Sequence, residues 1–274
     1  MSIVVRANGG LGNRMRVLAA CLALRMRLGR EVEVLWINNY ELNCDFDNLF
    51  LPIEGVVVTH MAYIPKWNKI GLKLRANSIK KTYENYDIQF TDKEIVELYT
   101  GNKDLINRIE NANTVYINTC EQFYGDKSFI SLLLPVPAVL QEVRRRLAGI
   151  NTETYYGVHI RRGDNETSKR ESPTMAFIEK LKKLEKSNNN LYFYLSTDDK
   201  GEAQILHKVM GEKLYWFAAG QNRAKPADIE NALVDLLMLS KSKHIIGSFW
   251  SSFSEVAAQY GRVSLEVIKK ETQD

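Results

Sequence analysis

The chain is poor in cysteine and proline, with three of the first and six of the second in 274 residues. Cys21, Cys44 and Cys120 are odd in number and fit no zinc-binding spacing, so neither a disulfide framework nor a structural metal is expected. A reducing compartment follows. Scarce proline together with 26% charged residues argues against long disordered tracts. No apolar run approaches the roughly 18 residues that span a bilayer. The amino terminus passes from Ile3-Val4-Val5 straight into a turn, without the apolar region and cleavage site of a signal peptide. A cytoplasmic protein is therefore expected. Neither sign of charge dominates: 37 Lys+Arg against 33 Asp+Glu leaves +4, divided about Ile150 as 19 against 16 and 18 against 17. A basic arm for nucleic acid is missing, no nucleic-acid partner is expected, and with no amphipathic anchor evident any membrane contact is at most peripheral.

With 45% hydrophobic residues the chain can bury a real core, and its length suits one large or two modest domains. Ser2 to Ala7 reads as a buried strand, Asn8 to Gly12 as a tight turn, Asn13 to Leu28 as a helix ended by Gly29, and Glu31 to Ile37 as a second strand. This is the strand, helix, strand unit of parallel sheets. From about His60 to Asn113 no period stands out, and Thr114 to Thr119 returns to strand. After a helix ending near Gly149, the second half alternates regularly. Strands are expected at Tyr155 to Ile160, Leu191 to Ser196, Lys213 to Phe217, His244 to Ile246 and Val263 to Val267. Helices fall near Thr174 to Lys186, Gly201 to Met210, Ala227 to Ser240 and Ser252 to Tyr260. The expected class is α/β, with domains over 1–149 and 150–274, and ligands in such sheets bind at the carboxyl ends of strands.

Four segments combine residues that chemistry can use. Gly9-Gly10-Leu11-Gly12-Asn13-Arg14 brings backbone N–H groups to a helix start, a place that suits phosphate. Met15 stands where a dinucleotide fingerprint wants glycine, and Asn38-Asn39 where it wants an acid, which leaves an NAD site weakly supported and a plain tight turn open. His159-Ile160-Arg161-Arg162-Gly163-Asp164 places two permanent cations at a strand end, either for a diphosphate or paired with nearby carboxylates. Asp235 lies in an apolar helix and requires a partner, whether a ligand or a basic side chain. Gly247 to Glu255 opens a helix with Ser252 and Glu255 at capping-box spacing, and the same helix start is a candidate anion site. Ser196-Thr197-Asp198-Asp199 reads as a helix start rather than a metal-binding pair.

Taken in order, Gly9 to Asn13, the HxRRxD block His159 to Asp164, Tyr194 to Asp199 and Gly247 to Ala258 resemble the fucosyltransferase superfamily. That superfamily comprises the bacterial α1,2 enzymes, the nodulation-type and α1,6 enzymes, and the protein O-fucosyltransferases. The resemblance covers some forty residues and is most specific in the HxRRxD block. It implies a GT-B-like architecture, two Rossmann-like domains with parallel sheets facing across a cleft. The carboxyl-terminal domain would bind the nucleotide-sugar and the amino-terminal one would lie on the acceptor side. It implies metal-independent transfer, with inversion, from GDP-fucose and without a cofactor; the acceptor's identity carries over from no relative, and the expected acceptor is a hydroxyl of an oligosaccharide or lipid-linked glycan.

Carried over by position, Arg161 binds the diphosphate and stabilises departing GDP, with Arg162 in support, while His159 and Asp235 read guanine. Ser251, Ser252 and Phe253 contact phosphate, and Gly10, Gly12 and Asn13 act from the other domain. The family glutamate aligns only across a gap, leaving Asp164, Glu166 and Glu171 as candidate bases, of which Glu166 is preferred. Alternatives are another donor such as GDP-mannose, or a non-catalytic nucleotide- or glycan-binding module.

Overall fold

The structure, a computed structural model, describes residues 2–99, 104–150, 152, 154–163, 165–218 and 222–270. The chain forms two compact units, Met1–Val136 with Asn222–Glu230, and Pro137–Gln221 with Asn231–Asp274.

The first unit is built on β1 (Ser2–Ala7), α1 (Leu11–Leu28), β2 (Val32–Ile37), β3 (Val56–Met61), α2 (Lys69–Tyr83), β4 (Ile88–Thr91), α3 (Asp92–Tyr99), α4 (Asp104–Asn111) and β5 (Thr114–Thr119). Its sheet has the order β3-β2-β1-β5-β4 with every pairing parallel. A parallel sheet covered on both faces needs continuous apolar strands, and Ile3, Val4 and Val5 are accordingly buried. Helix α1 is buried along most of its length and stops at Gly29, whose φ of 63° lets its N–H return to the Arg25 carbonyl. The elements between His60 and Asn113 escape a periodicity reading for physical reasons. Helix α2 carries apolar residues on two faces, Ile79 and Tyr83 inward and Ile70 and Leu74 outward, which blurs the 3.6-residue period, and β4 has only four residues.

The second unit comprises α5 (Pro137–Ala148), β6 (Tyr156–Ile160), α6 (Glu166–Glu171), α7 (Thr174–Ser187), β7 (Phe193–Thr197), α8 (Lys200–Met210), β8 (Leu214–Tyr215), α9 (Pro226–Ser240), β9 (His244–Ser248), α10 (Ser252–Gly261) and β10 (Ser264–Ile268). The first five residues of α9 belong to the other unit. The sheet order is β10-β9-β6-β7-β8, again all parallel. Val158 and Ile160 of β6, Phe193 and Leu195 of β7 and Ile246 of β9 pack with Phe177 and Leu181 of α7 and Leu206 of α8. The chain winds outward from β6 through β7 to β8 and then returns to the other side with β9 and β10. The carboxyl ends of β6 and β9 therefore flank the point where winding reverses, the crevice at which open α/β sheets bind ligands.

Two glycines test this packing. A Cβ on Gly261, at the end of α10, would overlap the backbone carbonyl of Ser240 at the end of α9, whereas one on Gly29 would meet open space and only the cost of its left-handed φ. Gly261→Ala is expected to lower the free energy of urea unfolding by about 3 kcal/mol. Gly29→Ala should cost only about 1 kcal/mol. Equal midpoints for the two variants would contradict the close approach of the two helix ends.

Candidate functional site

Residues from three adjacent strand ends meet at the carboxyl edge of the second sheet. The main-chain N–H of Arg161, just after β6, donates to the Ser248 hydroxyl at the end of β9 over 2.9 Å, and that of Arg162 donates to Asp198, just after β7, over 2.6 Å. The other Asp198 oxygen pairs with the Arg161 guanidinium. Gly163 follows with a positive φ, and Asp164 lies outside the described residues.

The two adjacent arginines have different tasks. Arg162 is buried, and its Nε meets Glu202 at 2.6 Å while Nη1 reaches the Ser172 carbonyl and Nη2 the Thr174 hydroxyl. It fastens the strand end to the start of α8 and to the α6–α7 link. Arg161 is the more exposed of the pair. Asp199 caps α8 by accepting the Glu202 N–H, the helix-start role its sequence suggested.

Four residues after Ser248, helix α10 begins at Ser252 with Ser251 as its cap residue. The expected capping box would have put the cap at Ser252. Instead Ser251 takes the extended cap conformation and its hydroxyl makes no cap bond. The first amides of a ten-residue helix, including those of Ser252 and Phe253, therefore keep the donor character and positive end of the dipole that favour an anion. Before them stands Trp250, which the sequence did not single out. Its φ is 54°, a left-handed conformation that costs a bulky residue roughly 1–3 kcal/mol and persists only where neighbours enforce it. Here the Asn165 amide donates to the Trp250 carbonyl and the Phe249 N–H to the Ser172 hydroxyl.

His159 on β6 is in register with Ser196 of β7 and Gly247 of β9, and its ring lies 4.8 Å from that of Phe253. Its Nδ1 is buried with no hydrogen-bond partner among the described residues. Ser196 in turn donates to Oδ2 of Asp235 on α9. Oδ1 of Asp235 accepts from Arg146 of α5 and from the Tyr194 hydroxyl, each at 2.6 Å. Arg146 is buried and also reaches Glu142 and Asn231, so the basic partner Asp235 required comes from α5, almost ninety residues earlier. Burial raises the Asp235 carboxyl above its usual range, against the opposing pull of Arg146. Three of about four acceptor positions on the carboxylate are taken, leaving capacity at Oδ2.

Glu166 opens α6 behind the Asn165 cap, with an exposed side chain that meets Lys169 at 2.7 Å. Glu171, at the other end of α6, pairs with Arg170. Gly10, Gly12 and Asn13 lie at the carboxyl end of β1 in the first unit. Gly10 is the extended cap residue of α1, Gly12 is buried in its first turn and the Asn13 side chain accepts from Arg16. Buried Arg14, which closes the glycine segment and was given no role from the sequence, holds this turn by donating to the carbonyls of Gly9 and Ile37. Among the described residues no group of three or more histidine, cysteine, aspartate or glutamate side chains is arranged to hold a metal ion.

Two Rossmann-like parallel sheets in tandem define a GT-B-like fold of the kind found in fucosyltransferases. NodZ fucosyltransferase from Bradyrhizobium is similar over 100% of this chain and 96% of its own, with a TM-score of 0.64 and 15% identity. POFUT1 in complex with GDP is similar over 97% and 98%, with a TM-score of 0.55 and 10% identity. Arabidopsis thaliana FUT1 in complex with GDP is similar over 99% and 71%, with a TM-score of 0.63 and 13% identity. No sequence-family model and no curated protein sequence matches the chain. At these identities the likeness is one of fold.

The buried imidazole makes the fold sensitive to acid. Burial, aided by the nearby Arg161 charge, pulls the His159 pKa from 6.5 down to about 3. As pH falls through 6.5 the unfolded chain takes up a proton that the folded protein refuses, so stability declines from there towards pH 3. The effect reaches about 2 kcal/mol by pH 5. His159→Gln is expected to remove this share, giving a shallower loss of unfolding free energy between about pH 7 and 5 in urea titrations. Parallel curves for the two proteins would contradict the buried neutral state.

Proposed function

We propose that the protein is a fucosyltransferase that moves fucose from GDP-fucose to a hydroxyl of a glycan acceptor, without a metal and with inversion at the anomeric carbon. The observation that carries this reading is the bond from the Arg161 main-chain N–H to Ser248, which holds the turn bearing Arg161 against the end of β9, the strand that leads into the uncapped start of α10. NodZ has been described soaked with GDP-fucose, and POFUT1 and Arabidopsis FUT1 with GDP.

Breaking the bond between sugar and diphosphate leaves negative charge on the departing GDP while the sugar ring becomes electron-poor. Fixed cations and amide donors at the phosphates stabilise that state more than the ground state. In this reading Arg161 donates to the diphosphate and Arg162 anchors the turn behind it. Ser251 offers its hydroxyl, and Ser252 and Phe253 their amides. His159, neutral and lacking a partner at Nδ1, and the remaining acceptor capacity of Asp235 Oδ2 face the guanine, whose N–H groups a carboxylate suits. Glu166 removes the proton from the acceptor hydroxyl as its oxygen bonds the anomeric carbon from the face opposite GDP. Gly10, Gly12 and Asn13 keep a substrate-binding role in the first unit. The acceptor is an oligosaccharide or a lipid-linked glycan.

Calorimetry in EDTA is expected to show GDP binding at least about tenfold tighter than ADP or UDP, since only the guanine meets a site built to accept its N–H groups. Equal affinities would end this reading. Arg161→Ala should lower transfer roughly 10²–10³-fold in a protein that still unfolds cooperatively, at a somewhat lower melting temperature because Asp198 loses its partner, and Arg161→Lys should recover little because the fork is lost. Near-native turnover in the alanine variant would remove Arg161 from the reaction.

A further inference from the structure

Helix α2 departs from the usual pattern of a surface helix, whose outer face is polar. Inward, Ile79 and Tyr83 pack with Val4, Leu35, Ile37 and Tyr116. Outward, Ile70 and Leu74 are 76% and 65% exposed, and Trp67, one residue before the Asn68 cap, is 82% exposed. At about 100° per residue, positions 70, 74 and 81 fall within roughly 40° of one another, directly opposite Ile79 and Tyr83.

Along the chain, the segment that carries this stripe has charge of one sign. Between Glu54 and Glu84 the sequence contains no aspartate or glutamate, yet it holds Lys66, Lys69, Lys73, Arg75, Lys80 and Lys81. Lys69, Lys73, Lys80 and Lys81 are exposed. The Lys66 ammonium sits 3.6 Å from the centre of the half-exposed Tyr40 ring, and Arg75 donates to the Ala62 carbonyl. A whole-chain balance of +4 conceals this local excess.

We propose that this face of α2 docks the protein on an anionic lipid surface, with Trp67, Ile70 and Leu74 entering the headgroup layer and the lysines meeting lipid phosphates. Exposed apolar side chains alone would suit many partners. A second copy of the chain would set these lysines against their own kind. A nucleic acid would engage the lysines and leave Ile70 and Leu74 in water. An anionic bilayer uses both halves of the pattern. Tryptophan and aliphatic side chains settle at the boundary of headgroups and acyl chains, while lysine stems lie along the apolar surface and carry their charge to the phosphates. The surface depends on no feature of the donor site.

The 274-residue protein sedimented with vesicles at about 0.1 M salt provides the test. Binding is expected with vesicles carrying about 30% phosphatidylglycerol and not with phosphatidylcholine alone. Ile70→Ser/Leu74→Ser and Lys69→Glu/Lys73→Glu should each weaken partitioning about tenfold or more with native melting temperatures, since all four side chains are exposed. The tryptophan emission that native protein shows and Trp67→Phe lacks should shift to the blue on the vesicles. The proposal is overturned if native protein ignores anionic vesicles, binds neutral ones equally, or binds undiminished in both double variants. It is also overturned if binding to a single-stranded DNA oligonucleotide, insensitive to the serine pair, accounts for all attraction to anions.

Discussion

Asp198 supports the geometry of the whole candidate site. One carboxylate oxygen receives the Arg162 N–H and the other faces the Arg161 guanidinium, while Ser248 takes the Arg161 N–H from the opposite flank. The turn leaving β6 is thus held from both neighbouring strands. That is possible only because β6 lies between β7 and β9 and all three run parallel, so that their carboxyl ends share one edge. Remove the carboxylate and the Arg162 amide loses its acceptor.

A second constraint is the burial of guanidinium groups, which is costly unless every donor finds an acceptor. Arg14, Arg146 and Arg162 are all buried, and each ties separate segments together. Arg14 joins the glycine turn to the end of β2, and Arg162 joins the end of β6 to α8. Arg146 connects α5 to β7 and α9 through Tyr194 and Asp235. Arg146 and Arg162 are surrounded by carbonyls, hydroxyls or carboxylates, whereas Arg14 lies over the Trp36 ring with its Nη1 unpartnered among the described residues, and burial pulls its pKa down to about 10.

Much of the fold was legible because buried parallel strands read as apolar runs and their helices as regular amphipathic stretches. Thr114–Thr119 matches its expectation residue for residue, and Thr174–Ser187 differs by one. The segment after His60 was illegible because the outer face of α2 is as apolar as its inner one, so no single face stands out. The site was legible as residue types: cations at a strand end, serines at a helix start, a carboxylate in an apolar helix. Their partners were not. Nothing near Asp235 in sequence announces Arg146, and nothing at Trp250 announces a left-handed backbone, since both arise from contacts between distant elements.

The order of strands and helices up to Ile37 and, α6 aside, from Thr114 onward, the placing of His159 and Arg161 at a strand end, and the absence of a long apolar span were determined by the sequence itself, since each depends on local pattern. Tertiary structure decided which of two neighbouring arginines became a fastening and which stayed more open, which serine caps α10, and what balances Asp235. Those outcomes depend on which groups compete for the same hydrogen bonds once water is excluded, and that competition exists only after β6, β7, β9 and the helices around them have come together.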